Sequence, residues 1–320
     1  MKEILIALLL LVAGFVLLIK GADFFVDGSS SVAKRLRVPS MIIGLTIVAM
    51  GTSLPECAVS VTASLSNNNA LAVSNVVGSN IFNLMVVCGV CTLFVPLAVS
   101  VDTLKKEFPF SIICAVLLVI FGKFGMILGR ADGIIFLVLF AAYLGWMIKS
   151  ALSARNSALS KEAEEVDEQI KILPVWQCII YIIGGAVAIK FGGDFVVNGA
   201  STIASSLGFS QNLIGLTIVA LGTSLPELVT SVAAARKGNA GIAIGNIVGS
   251  NIFNILFVIG ITALICNVPF ESKFLIDTVI AIFSGALLWI GTYKHKELRK
   301  PCGIVMLICY AAYFVYLCVL

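Results

Sequence analysis

One stretch of this chain is written twice. Gly44 to Glu56, GLTIVAMGTSLPE, returns 171 positions later as Gly215 to Glu227, GLTIVALGTSLPE, with twelve of thirteen residues unchanged. The same offset relates Asn75 to Asn83, NVVGSNIFN, to Asn246 to Asn254, NIVGSNIFN. The chain is two copies of one unit, and each copy sets two polar motifs inside apolar runs. A carboxylate in such a run is costly, so one kept in both copies calls for a chemical reason.

Composition settles the medium. Of 320 residues, 60% are hydrophobic and only 12% charged, far from soluble globular usage. A bilayer core of ~30 Å takes ~20 residues of helix. The apolar stretches therefore predict ten spans, near 3–33, 39–66, 70–98, 107–128, 131–149, 173–206, 211–235, 241–267, 273–293 and 301–320. These runs are continuous rather than alternating, which speaks for helices against a β-barrel. The expected fold is an all-α membrane protein of ten transmembrane helices, in five-helix repeats at 1–149 and 172–320 with a linker at 150–171. Lys2 ahead of Ile4 to Ile19 also suits a signal peptide, but the repeat runs through this segment, pairing Asp23 with Asp194 and Gly28 with Gly199. Cys88 and Cys91, two of nine cysteines, lie in an apolar run with no histidine nearby and read as packing.

Charge gives the orientation. With the N-terminus outside, loops at 34–37, 105–106, 149–171, 236–237 and 294–300 are cytoplasmic and hold 15 of the 21 Lys and Arg residues, as the positive-inside rule requires. Both termini then face out of the cell, across its plasma (inner) membrane. Five spans per copy is an odd number, so the second copy enters the membrane inverted relative to the first. The charges agree: Lys34, Arg35 and Arg37 match neutral Ser205 to Gly208, while Arg236 and Lys237 match Leu65 and Ser66. The net charge of +4 is no sign of nucleic acid, the lipid bilayer is the surrounding to expect, and no obligate protein partner is evident. Glu162, Glu164, Glu165, Asp167 and Glu168 make the linker a solvated connection. Asp23 and Asp194, each within a turn or so of Lys20 or Lys190, read as local ion pairs.

The glutamates lie deep. Glu56 is 17 residues past Pro39, roughly 25 Å along a helix, and inversion brings Glu227 to a similar depth so that both acids share one site. No Lys, Arg or His lies in the matching stretches of spans 2, 3, 7 and 8. Metal cations, protons or both must therefore offset the charge, and hard oxygen donors favour sodium or calcium over zinc or copper. Pro55 and Pro226 leave the carbonyls of Gly51 and Gly222 without a helical N–H and bend the chain there. Thr52 and Glu56 share a helix face, as do Thr223 and Glu227, with Ser53 and Ser224 three residues before each acid. Ser79 with Asn83, and Ser250 with Asn254, add hydroxyl and amide oxygens. Gly78, Gly249, Asn75, Asn80, Asn246 and Asn251 suit helix packing as well as function.

The paired GTSLPE and GSNIFN motifs resemble the two α-repeats of the sodium/calcium exchanger family of calcium/cation antiporters, over almost the whole chain. The resemblance implies that Glu56 and Glu227, with the backbone carbonyls of Thr52 and Thr223, bind calcium. It implies flanking sodium sites using Ala49, Thr52 and Ser79 in one half and Ala220, Thr223 and Ser250 in the other, supported by Ser53 and Ser224. It also implies that spans 1 and 6 slide past the rest to expose the site alternately. Some members carry aspartate where this chain has Asn83 and Asn254, so its centre holds two formal negative charges, which argues against a potassium-dependent subtype. The large cytoplasmic regulatory domains of animal members have no counterpart in the linker.

The expected activity is exchange of sodium for calcium by alternating access, with Ca²⁺ and Na⁺ as cargo, no cofactor and no enzymatic reaction. Protons can replace sodium on crowded carboxylates, so a cation/proton exchanger fits the same residues. A channel with an acidic filter fits less well, because inverted halves with a midplane site suit alternating access. His295, the sole histidine, sits in a charged loop away from any nucleophile.

Overall fold

The computed structural model describes residues 2–66, 69–156, 172–208 and 220–319, and these are almost entirely helical. Helix α1 (Lys2–Leu36) is followed by α2 (Ser40–Thr52) and α3 (Leu54–Leu65), which meet at a 44° bend. Next come α4 (Ala70–Phe94), α5 (Phe108–Lys123) and α6 (Arg130–Asn156). The second half contains α7 (Val175–Ser206), a short turn at Ala220–Gly222, α8 (Leu225–Arg236), α9 (Ala240–Ile265), α10 (Ser272–Tyr293) and α11 (Lys300–Val319).

Seven of the described helices are long and apolar enough to cross a bilayer, or eight if α2 and α3 form one bent span. Two of the ten expected stretches fall short of that test for different reasons. The one at 107–128 is a 16-residue α-helix entered through a π turn at Thr103–Glu107, which carries the charges of Lys105, Lys106 and Glu107. The one at 211–235 is described only from residue 220, because 211–219 lie outside the described residues, as do 157–171 of the expected linker.

The helix ends follow from local chemistry. Arg37 takes a left-handed φ of 55°, its N–H reaching the Lys34 carbonyl at 3.2 Å, and Pro39 then prevents α1 from continuing. The bend between α2 and α3 falls at Ser53, with φ −87° and ψ 8°, and Ser224 repeats it ahead of α8 with φ −92° and ψ 3°. Pro55 and Pro226 each occupy the first turn of the new helix, where a missing N–H costs nothing.

Reciprocal contacts tie the halves together. Strand β1 (Leu97–Ala98) pairs antiparallel with β4 (Glu297–Leu298), and β2 (Ile127–Leu128) with β3 (Val268–Pro269), so each small sheet takes one strand from each half. Met126 and Lys296, 170 positions apart, both take left-handed φ values, 56° and 53°; that conformation is unfavourable for residues with a Cβ, so one unusual turn has been built twice.

The longest contact is the antiparallel seam between α1 and α7. A Cβ on Gly14 would stand 2.8 Å from the Gly192 carbonyl, and one on Gly21 3.0 Å from that of Gly185. Gly28 meets the Cys178 carbonyl at 3.1 Å and Gly199 meets that of Ala7 at 2.6 Å. Glycines seven residues apart on both helices thus let the backbones touch, as close helix pairs in membranes require. Leucine in place of Gly21 would overpack this seam at a cost of about 1–3 kcal/mol, lowering the Tm of the detergent-solubilised protein. Gly184→Ala, at an exposed site on α7 with no atom near its would-be Cβ, should leave Tm unchanged in the same assay.

Candidate functional site

Both glutamates sit in the first turn of a helix, Glu56 in α3 and Glu227 in α8. There the unpaired backbone N–H groups and the helix dipole favour negative charge, and the carbonyl end of the preceding segment faces the same break. Each acid is 0% exposed, and the buried polar residues around them include no Lys, Arg or His.

The hydroxyls that hold each carboxylate come from the opposite half as well as its own. Ser53 donates to Oε1 of Glu227 at 2.7 Å, and Ser224 lies 3.3 Å from Oε1 of Glu56. Ser79 donates to that same Glu56 oxygen at 3.3 Å and accepts from Ser224 at 3.0 Å. Asn254 Nδ2 reaches Ser79 Oγ at 3.3 Å and Asn80 Oδ1 at 3.1 Å, while Asn83 Nδ2 donates to Asn251 Oδ1 at 3.2 Å. Asn80 and Asn251 exchange bonds, each Nδ2 to the other's carbonyl at 3.2 Å. Asn80 and Asn251 are the same position in the two copies, so this pair straddles the junction of the halves.

Within this network, Oε2 of Glu56, Oε2 of Glu227, Oδ1 of Asn83 and Oδ1 of Asn254 are buried and have no hydrogen-bond partner among the described residues. Buried polar atoms are nearly always satisfied, and four unsatisfied oxygen acceptors in one network, two of them on carboxylates, have the chemistry that hard cations take as ligands. The motif residues that form this network also launch π-helical turns, at Asn83–Val87 and Asn254–Ile259, a feature common at functional sites.

Not every expected residue takes part in the same way. Thr52 donates to Asn246 Oδ1 at 3.0 Å and to the Ala49 carbonyl at 3.3 Å, and Ser250 approaches that carbonyl at 3.5 Å. Ala49 thus contributes its backbone oxygen. Thr223 is half-buried where Thr52 is buried, and the turn that starts at Ala220 brings Thr223 toward the break. Asn75, Asn80, Asn246 and Asn251, which the sequence leaves undecided, are structural members of the site. Asn75 Nδ2 holds the Glu56 carbonyl at 3.2 Å and Ser60 at 3.1 Å, while Asn246 Nδ2 holds the Glu227 carbonyl at 3.4 Å and Ser231 at 2.9 Å. Ser60 and Ser231 are additions whose only signal in the sequence is their place one turn beyond each duplicated acid.

The expected ion pair of Asp23 with Lys20 does not form. Asp23 lies 3.4 Å from Lys237 Nζ, a residue brought over from the end of α8. Asp194 does pair with Lys190, one turn away on α7.

Gly245, Asn246 and Gly249 on α9 are buried, with α2 so close that a Cβ on Gly245 or Gly249 would come within 2.7 Å of a backbone oxygen. Their counterparts on α4 are less covered: Ser74 is exposed, and Asn75 and Gly78 are half-buried.

Comparison with known proteins gives the family. A family described as "Sodium/calcium exchanger protein" matches residues 6–149 and 178–319, and the chain belongs to that family. It is 43% identical over 263 residues to a putative antiporter, CaxA, of Alkalimonas amylolytica, covering 82% of this chain and 81% of the relative. It is 32% identical over 344 residues to the sodium/calcium exchanger MaX1 of Methanosarcina acetivorans, covering 97% of each. The sodium-calcium exchanger NCX_Mj, solved after soaking with Na⁺ and Sr²⁺, superposes with a TM-score of 0.84 at 30% identity, over 98% of both chains. The chain is therefore a helical membrane antiporter of the calcium/sodium exchange class, a transporter family rather than an enzyme class.

A cation that binds the folded site alone stabilises the protein by about 2.7 kcal/mol at a hundred times its Kd. Millimolar Ca²⁺ should accordingly raise the Tm of the purified protein in a thermal-shift assay, and Glu227→Gln should remove most of that rise.

Proposed function

We propose that this protein exchanges Na⁺ for Ca²⁺ across the plasma membrane by alternating access, at a central site shared by Glu56 and Glu227. The observation that carries the reading is the set of four unpartnered oxygens, carboxylate from both acids and amide from Asn83 and Asn254. Two formal negative charges offset one Ca²⁺, or are satisfied by sodium ions that also use Ser79, Ser250, Thr52, Thr223 and the Ala49 and Ala220 backbones. Without cargo the acids face each other's field in a low-dielectric interior. The empty site is then the unfavourable state, so crossing is coupled to exchange.

Ten spans in two inverted five-helix repeats, 1–149 and 172–320, are the architecture this reading adopts, with both termini outside and 150–171 as a cytoplasmic linker. Reciprocal bonding supports it: Ser53 with Glu227 is answered by Ser224 with Glu56, and Asn83 with Asn251 by Asn254 with Asn80. The antiparallel course of α1 and α7, the first helix of each copy, is what an inverted pair gives.

In proteoliposomes, an inward-directed calcium flux driven by internal sodium is the expected activity. Glu56→Gln or Glu227→Gln should cut that flux by at least ~100-fold, equivalent to ~2.8 kcal/mol of lost ion interaction. Near-normal flux in both variants would refute the site, and calcium uptake driven by a proton gradient without sodium would reassign the coupling ion.

A further inference from the structure

We infer that Lys237 is a positioning residue of the transport cycle: it latches α1 to the end of α8 on one face of the protein and so biases which face the site opens to. The inference rests on the alternating-access reading above. Lys237 follows directly after α8, and its ammonium is met by three oxygens of a single turn of α1. These are Asp27 Oδ1 at 2.7 Å, the Asp23 carbonyl at 2.9 Å and Asp23 Oδ1 at 3.4 Å. Two of these contacts are hydrogen bonds, to Asp27 Oδ1 and to the Asp23 carbonyl, and the Asp23 carboxylate adds an ion pair. Two positions on, Asn239 Nδ2 donates to Ser30 Oγ at 3.0 Å, adding a second tie between the same loop and the same helix.

The other copy cannot build this latch. Lys237 corresponds to Ser66, Asp27 to Asn198, and Asp23 to Asp194, which Lys190 on its own helix already engages. Packing has the same bias: α1 lies along α8, whereas α7 makes little contact with α3. On the same side α9 starts beside Lys237 and is packed by α2 around Gly245 and Gly249.

Two halves of one design would make the inward-open and outward-open states nearly equal in energy. A contact that only one copy can form breaks that balance in favour of the state closed on its own side. Because Lys237 and its acids are partly exposed, the bias is modest, and removing it should shift populations without stopping transport. Shifting them toward the state open at the Lys237 face raises apparent affinity there and lowers it at the other face.

The experiment is calcium-dependent exchange in sided proteoliposomes, reading apparent KM for Ca²⁺ at each face. Lys237→Gln and, as an independent variant, Asp27→Asn should retain exchange while changing the ratio of the two KM values about three- to tenfold, tighter at the Lys237 face. The swap Lys237→Asp with Asp27→Lys should restore the wild-type ratio, and Lys190→Gln should not move it. An unchanged ratio in variants that exchange calcium normally would overturn the latch and leave the exchanger assignment standing. Absence of sodium-dependent exchange in the wild-type protein would overturn both.

Discussion

Everything in this molecule is arranged around two carboxylates that have been removed from water without a basic side chain to answer them. Burial of one ionised group already costs several kcal/mol after relaxation, and here two share one network. The protein lowers that cost by three means visible in the structure. Each acid begins a helix, so unpaired N–H groups point toward it; each accepts a serine hydroxyl; and a serine of the other copy is within reach of each, Ser53 for Glu227 and Ser224 for Glu56. What is left uncompensated is specific, one oxygen on each acid, with one amide oxygen from each of two asparagines beside them. Under the proposed exchange, a cargo ion would supply what the fold withholds.

The exchange of donors across the halves also explains why the motifs are long. Ser53 can reach Glu227 only if the α2–α3 bend and the turn before α8 lie back to back, and the proline three residues after each GT fixes that bend. Asn80 and Asn251 then brace the junction with a mutual pair of bonds to backbone. Both α4 and α9 run through the most buried part of the protein.

Much of this was legible in the sequence, because duplication marks the residues and a helix converts their spacing into faces. The two acids, their hydroxyl neighbours and the apolar runs needed nothing beyond periodicity and depth. The asparagine bridges were not legible, since pairing at a junction depends on which helix faces meet, and amides serve packing and ligation equally well. Asp23 shows a second limit: a lysine three residues away looks adequate, while the actual partner, Lys237, is 214 positions along the chain. Span counting was weakest where charges crowd a helix start, as at Lys105 to Glu107, or where a helix bends mid-membrane, as at Ser53.

The glycine seam between α1 and α7 has a mechanical corollary. Where backbone rests directly on backbone there are no flexible side chains to absorb a displacement, so the two helices behave as a single stiff beam. In the proposed alternating-access cycle, one end of that beam would lie toward each side of the membrane. A tilt or slip that widens one mouth therefore narrows the other, and a leak through both at once is discouraged by rigidity alone, before any ion has bound.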